Sequence, residues 1–276
     1  MVRKMFFKSI KTQMRINFDR VSVYISMMII SVYILLNYYC NIQIYKGYDI
    51  SQMIHPMKLL MLESHNKWGF YFMQLLPFIL VIPAAFSYIN DLNNHTSTLL
   101  IAKFGRKSYY YGKFISVCLT TFLAFIIPLM LEFFITIAAF PHAAAGDLSN
   151  SIPYDEGYIQ ATNNYFAYEF WKSDPYVYTV VCLFLFSFVM SVFSGFLVSL
   201  SMLNIFKFRI LLFLPAYLVM YLLRLAGNMA GINLKYTDNL YLFDTSERLG
   251  GLFYVIVLII LLVSLLMVRC KVNEVY

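Results

Sequence analysis

The sequence predicts an all-α integral membrane fold of six transmembrane helices, preceded by an amphipathic helix, with both termini cytoplasmic. Three observations predict it. Six apolar stretches follow one another: Val21 to Tyr39, Gly69 to Ile89, Phe114 to Phe140, Tyr176 to Leu203, Ile210 to Leu225 and Gly251 to Val268. Most reach the ~20 residues that a helix needs to cross ~30 Å of hydrocarbon; the fifth is short unless it continues past Arg224. Basic residues fall into alternate gaps between the stretches. Fourteen lie in the N-terminal tail, the second and fourth gaps and the C-terminal end, against seven in the other gaps, which is a positive-inside pattern. Finally, 61% of residues are hydrophobic, 13% are charged and the mean hydropathy is +0.69, too little polar surface to cover a soluble domain.

Taken in order, residues 1–20 are too charged to insert. Phe7, Ile10, Met14 and Phe18 fall near one helical face, and Lys4, Lys8, Lys11 and Arg15 cover another, as in a helix lying on the inner membrane surface. Residues 21–276 then form the transmembrane domain. A long basic segment precedes the first apolar run and no small-residue cleavage site follows it, so the first span is expected to stay as an anchor. The second carries Pro77 and Pro83, each of which removes a backbone donor and predicts a kink. Pro128 and Pro215 do the same in the third and fifth. Loops 40–68, 141–175 and 226–250 are long and rich in polar and turn residues and read as external, the last with apolar parts that dip back into the membrane. Trp68, Trp171, Tyr154, Tyr158, Tyr176 and Tyr178 suit the outer headgroup belt.

Three features carry internal chemistry. In the fourth span Ser187, Ser191, Gly195 and Ser199 recur every four residues, a stripe that lets another helix approach closely; packing within one bundle and a dimer interface both remain open. Glu132 and Arg224 are charges within spans at similar depth, so they are expected either to pair or to face a polar external vestibule. Between the second and third spans the chain runs from Asp91 to Lys113. Here Thr96 or Ser97 can cap a short helix at about 95–105, Leu99, Leu100, Ile101 and Phe104 give it an apolar surface, and Gly105 suits its end. An apolar knob on a cytoplasmic helix needs burial, against the membrane or in a groove on a partner.

These residues carry a resemblance to the permease subunits of ABC transporters of the type-2 exporter superfamily, the type V exporter fold. It covers nearly the whole chain in topology: the basic amphipathic helix, the proline-bearing second span, Asp91, the Thr96-Ser-Thr-Leu-Leu-Ile run, Gly105-Arg106, Tyr111-Gly112-Lys113, and Pro215 in the fifth span. It implies a multi-pass permease of the bacterial plasma membrane, working as a dimer with a second copy or a related permease. It also implies that Thr98, Leu99, Leu100, Ile101, Lys103, Phe104 and Arg106 form a coupling helix seated on a separate nucleotide-binding ATPase, which holds ATP and magnesium. Residues 1–20 would be its connecting helix. The outer loop from Pro141 to Pro175 is longer than a minimal member needs.

The chain has no GxxxxGK[ST], and Gly112-Lys113-Phe114 lacks the hydroxyl that meets magnesium. It is therefore expected to be no enzyme and to hold no cofactor. Cys40, Cys118, Cys182 and Cys270 lack paired spacing, and the four histidines sit in different loops, so neither a disulfide framework nor a metal site is expected. The net charge of +7 matches an anionic inner leaflet rather than nucleic acid. A substrate suited to aromatic lining would be an amphipathic peptide, such as an antimicrobial peptide, an antibiotic or a lipid. The competing function is a membrane sensor or accessory subunit that binds a ligand or partner through its external loops and transports nothing.

Overall fold

The computed structural model describes residues 2–50, 53–63, 67–141, 167–203, 208–242 and 251–274. Most of the 141–175 loop, the 243–250 segment, Lys207, Arg248, His65 and His142 lie outside them. Eleven α-helices and no strand occur among the described residues. Five helices are long and apolar enough to cross a bilayer: Val21–Tyr45, Arg106–Ala139, Pro175–Met202, Ile210–Ala230 and Leu252–Asn273. The protein is a multi-pass α-helical membrane protein. The fifth predicted stretch does continue past Arg224, which gives it spanning length.

The second predicted stretch differs from expectation. α3 (Lys67–Ile79) contains Pro77, stops, and gives way to a run of turns over 80–86 before α4 (Ser87–Asn93). A kinked helix was expected; a broken one is found. Pro83 supplies no N–H and clashes with a continued helix, and the turns close through bonds such as Val81 N–H to Phe78 O at 3.2 Å. The segment nevertheless runs the length of the bundle. At one end Trp68 Nε1 lies 3.2 Å from Cys40 Sγ, near the close of α2 (Val21–Tyr45). At the other, Asp91 meets Arg20, just before α2 begins.

α1 (Val2–Phe18) is the helix expected before the first span, and one polar row of it packs on the bundle. Ser9, Gln13 and Asn17, one helical row apart, are fully buried against α6 (Arg106–Ala139), while Phe7 stays exposed. Ser9 Oγ donates to Ser108 O at 2.9 Å and Gln13 Nε2 to Tyr109 O at 3.1 Å. Gly112 permits this contact, because a Cβ there would sit 2.7 Å from Ser9 Oγ. The side not facing α6 carries the basic and larger apolar residues.

α6 and α8 (Pro175–Met202) form the centre, each with buried residues along its length. α2, α9 (Phe213–Ala230) and α11 (Leu252–Asn273) surround them with wide exposed apolar faces. Aromatic edges cross-link the layers: Tyr33 meets Phe72 at 5.9 Å, Phe72 meets Phe186 at 6.3 Å and Phe186 meets Phe125 at 6.1 Å, the offset geometry that ring quadrupoles favour. Part of the connection between α2 and α3 is folded into the bundle rather than exposed. Its residues Pro56–Leu62, including a 3₁₀ turn over Pro56–Leu59, are buried and plug the Trp68 end of the bundle. A second buried connection meets it there, since Leu242 N–H bonds Leu62 O at 2.9 Å.

Candidate functional site at the Asp91 end of the bundle

Asp91 is the hub of this end. Its side chain is almost wholly buried, and three donors from two other elements converge on it: Lys113 Nζ at 2.6 Å and Tyr109 Oη at 3.0 Å on Oδ2, and Arg20 Nη2 at 3.2 Å on Oδ1. Lys113 is 0% exposed. A buried lysine is tolerable only beside a paired charge and with good geometry, so this cluster fixes the α1–α2 corner, α4 and α6 to one another. Neither proximity along the chain nor periodicity announces it, because the 21 residues between Asp91 and Lys113 fold back through a separate helix.

That helix is α5 (Thr96–Phe104). His95 precedes it in the left-handed region at φ 54°, and Thr98 Oγ1 donates back to His95 O at 2.8 Å. The expected cap from Thr96 or Ser97 is absent; Thr96 Oγ1 instead reaches back to Asp91 O at 3.4 Å and Ser97 is buried. Gly105 ends α5 as expected, at φ 81°, a conformation that glycine adopts without a Cβ penalty. It also opens α6.

The predicted apolar knob is divided. Phe104 is 6% exposed, and Leu100 and Ile101 pack on a small core containing Tyr88, Tyr109 and Met202. Leu99, at 71% exposed, is the large apolar side chain of α5 left bare, beside exposed Thr98 and Lys103. Arg106 turns inward: its Nη2 donates to Lys271 O at 2.8 Å, tying α6 to the end of α11. Of the seven predicted coupling residues, only Thr98, Leu99 and Lys103 therefore offer mostly exposed side chains.

The serine–glycine stripe of α8 is an internal seam rather than a free interface. A Cβ on Gly195 would lie 2.6 Å from Cys118 Sγ and 2.9 Å from Phe114 Cε2, both on α6. Ser187 and Ser199 are fully buried and bond carbonyls one turn back, at Leu183 and Gly195, while Ser191 bonds Phe188 O. Close α6–α8 approach is what these small residues provide.

Glu132 and Arg224 do not meet. Glu132, on α6, is buried and its Oε1 accepts from Met61 N–H at 2.6 Å and Asn37 Nδ2 at 3.1 Å. It anchors the buried α2–α3 connection, and it faces no vestibule. Oε2 has no hydrogen-bond partner among the described residues. Arg224 lies elsewhere, on the exposed side of α9 in a cleft with Gln74, Tyr217, Tyr221 and Tyr236. Asn37 and the Met61 amide were not singled out from the sequence; an Asn within the first predicted span was the available signal. Beyond α9, burial and the nearby Tyr217 hydroxyl hold the Tyr236 phenol above its usual range, against a smaller opposing pull from Arg224.

The fold and these polar clusters define a multi-pass membrane protein in which a short exposed-edged helix is braced by a buried ionic hub. No protein-family model, curated protein or solved structure matches the chain.

Proposed function

We propose that the chain is the transmembrane permease subunit of an ATP-driven exporter of amphipathic molecules, coupled through α5 to a separate nucleotide-binding ATPase. The broken α3–α4 segment serves as a sixth crossing, and the Asp91 end faces the cytoplasm of a bacterial cell, with both termini there. The permease works beside a second copy or a related permease. The observation that carries this reading is the setting of α5: a helix braced on both sides by the bundle that leaves Leu99 bare between polar neighbours. A leucine held bare on a rigid base suits the helix-in-groove mode of recognition.

The rigid base also suggests how force would pass. Movement imposed at Leu99 is carried through Leu100, Ile101 and Phe104 into the small core around Tyr109, and from there through Asp91 to the α1–α2 corner. Energy from nucleotide binding would thereby shift packed helices between discrete arrangements.

Purification of the tagged chain from its native membrane, with identification of the copurifying subunits, tests the reading. An ATPase bearing a GxxxxGK[ST] motif is expected with the wild type and is expected to be lost with Leu99→Asp, while Leu99→Asp inserts normally. Native assemblies without such an ATPase, or full retention by Leu99→Asp, overturn it.

A further inference from the structure

Arg224 occupies a position that the helical bundle does not satisfy. It lies six residues, or ~9 Å, before the end of α9 at Ala230, well within a segment of spanning length. Its side chain is exposed, and no hydrogen bond or ion pair among the described residues ends on it. Two cavities share Arg224 and Tyr221 in their linings. One, of about 230 Å³, is lined by Tyr221, Arg224, Leu225 and Asn228. The other is narrower and adds Gln74, Pro77, Tyr217 and Tyr236. The Tyr217 and Tyr221 rings stack at 6.2 Å with 12° between their planes, forming a flat wall.

The chemistry of the lining is one-sided. It contains a guanidinium, phenols and side-chain amides, all able to donate, and no carboxylate. An uncompensated charge at this depth is costly, and a guanidinium is the donor best shaped for two oxygens of one tetrahedral anion. Leu225, Pro77 and Met220 supply an apolar flank, and the outer face of α9 continues it with exposed Leu218 and Leu222.

We propose that this cleft binds the phosphate of a net-anionic phospholipid, with Arg224 gripping the headgroup and an acyl chain lying along α9. A second copy of the chain is a poor occupant, since a two-fold contact through this patch sets Arg224 near its own twin and the patch brings no acid to offset it. Free phosphate fits the donors but leaves the apolar flank uncovered. The site does not rest on the ATPase-driven reading, for it requires only α9 and its cleft.

The test is native mass spectrometry of the purified chain released from nanodiscs of phosphatidylcholine containing phosphatidylglycerol. The wild type is expected to retain one phosphatidylglycerol per chain, and Arg224→Gln to fall to the level of phosphatidylcholine retention. Equal retention by the two proteins overturns the proposal. If Arg224→Gln does not fold, phenylglyoxal modification of Arg224 in the wild type serves instead: slower in phosphatidylglycerol than in pure phosphatidylcholine nanodiscs is expected. Equal rates, protection that follows dimer formation, or equal protection by inorganic phosphate alone each overturn it.

Discussion

Asp91 shows how far a single residue can be read. Both Asp91 and Lys113 stand out in sequence as charges beside apolar runs, yet nothing in their spacing states that they meet at 2.6 Å. Their encounter depends on α5 folding out and back, a tertiary fact. The consequence is sharp: Asp91→Asn leaves Lys113 buried without a counter-charge and is expected to lower stability by ~3–5 kcal/mol. Measured by thermal unfolding in detergent, Asp91→Asn combined with Lys113→Met should recover much of that loss, because an apolar side chain of similar length no longer needs a partner. Additive losses in the double variant would show that the pair is not coupled. Glu132 was legible as an intramembrane acid, but its partners Met61 N–H and Asn37 were not, because depth along a helix says nothing about which face looks where. Glu132→Gln preserves an acceptor for Met61 N–H and is expected to change stability little. Glu132→Ala orphans that buried amide at a cost of ~1–3 kcal/mol, checked by the same melts.

At the scale of elements, apolar periodicity located the spanning helices to within a few residues at most ends, since burial in lipid demands long unbroken hydrophobic runs. It failed at α1 for a physical reason. The buried row there is Ser9, Gln13 and Asn17, polar side chains whose bonds to α6 replace those to water, so a search for apolar faces assigned this row to neither side. Gly112 is the enabling residue on α6. Gly112→Val puts branched carbon where Ser9 Oγ already sits and is expected to loosen α1 from α6, read as faster proteolysis within residues 2–18 with the spanning helices intact. Unchanged protection would remove the claim that this contact holds α1. α5 was legible as a helix with an apolar surface, but not which apolar residues the bundle would absorb. Phe104→Asp therefore belongs to folding rather than to docking: it places a charge in a buried position and is expected to cost several kcal/mol, seen as lost expression or a lowered melting temperature. Leu99→Asp should leave the melting temperature unchanged.

For the whole molecule, the described contacts already sort the chain into two ends. Arg20, Asp91, Arg106 and Lys271 gather at one, and Cys40, Trp68 and Leu242 at the other. The proposed direction rests on the charge pattern of the sequence: the Asp91 end carries the richer set of basic residues, and a positive-inside bias favours the cytoplasm for it. Cysteines report this directly. Cys270 is exposed and adjoins Lys271 at the Asp91 end, while Tyr48 lies just past α2 at the other end and is half exposed. In a chain whose other cysteines are replaced by serine, a membrane-impermeant maleimide is expected to label Cys270 in inverted vesicles and not in intact cells. Tyr48→Cys, in a chain that also lacks Cys270, should give the opposite result. Labelling of Cys270 from the cell exterior reverses the whole molecule and carries Leu99 away from the nucleotide pool. In that orientation α5 has no ATPase within reach, and its bare leucine belongs to an external partner instead.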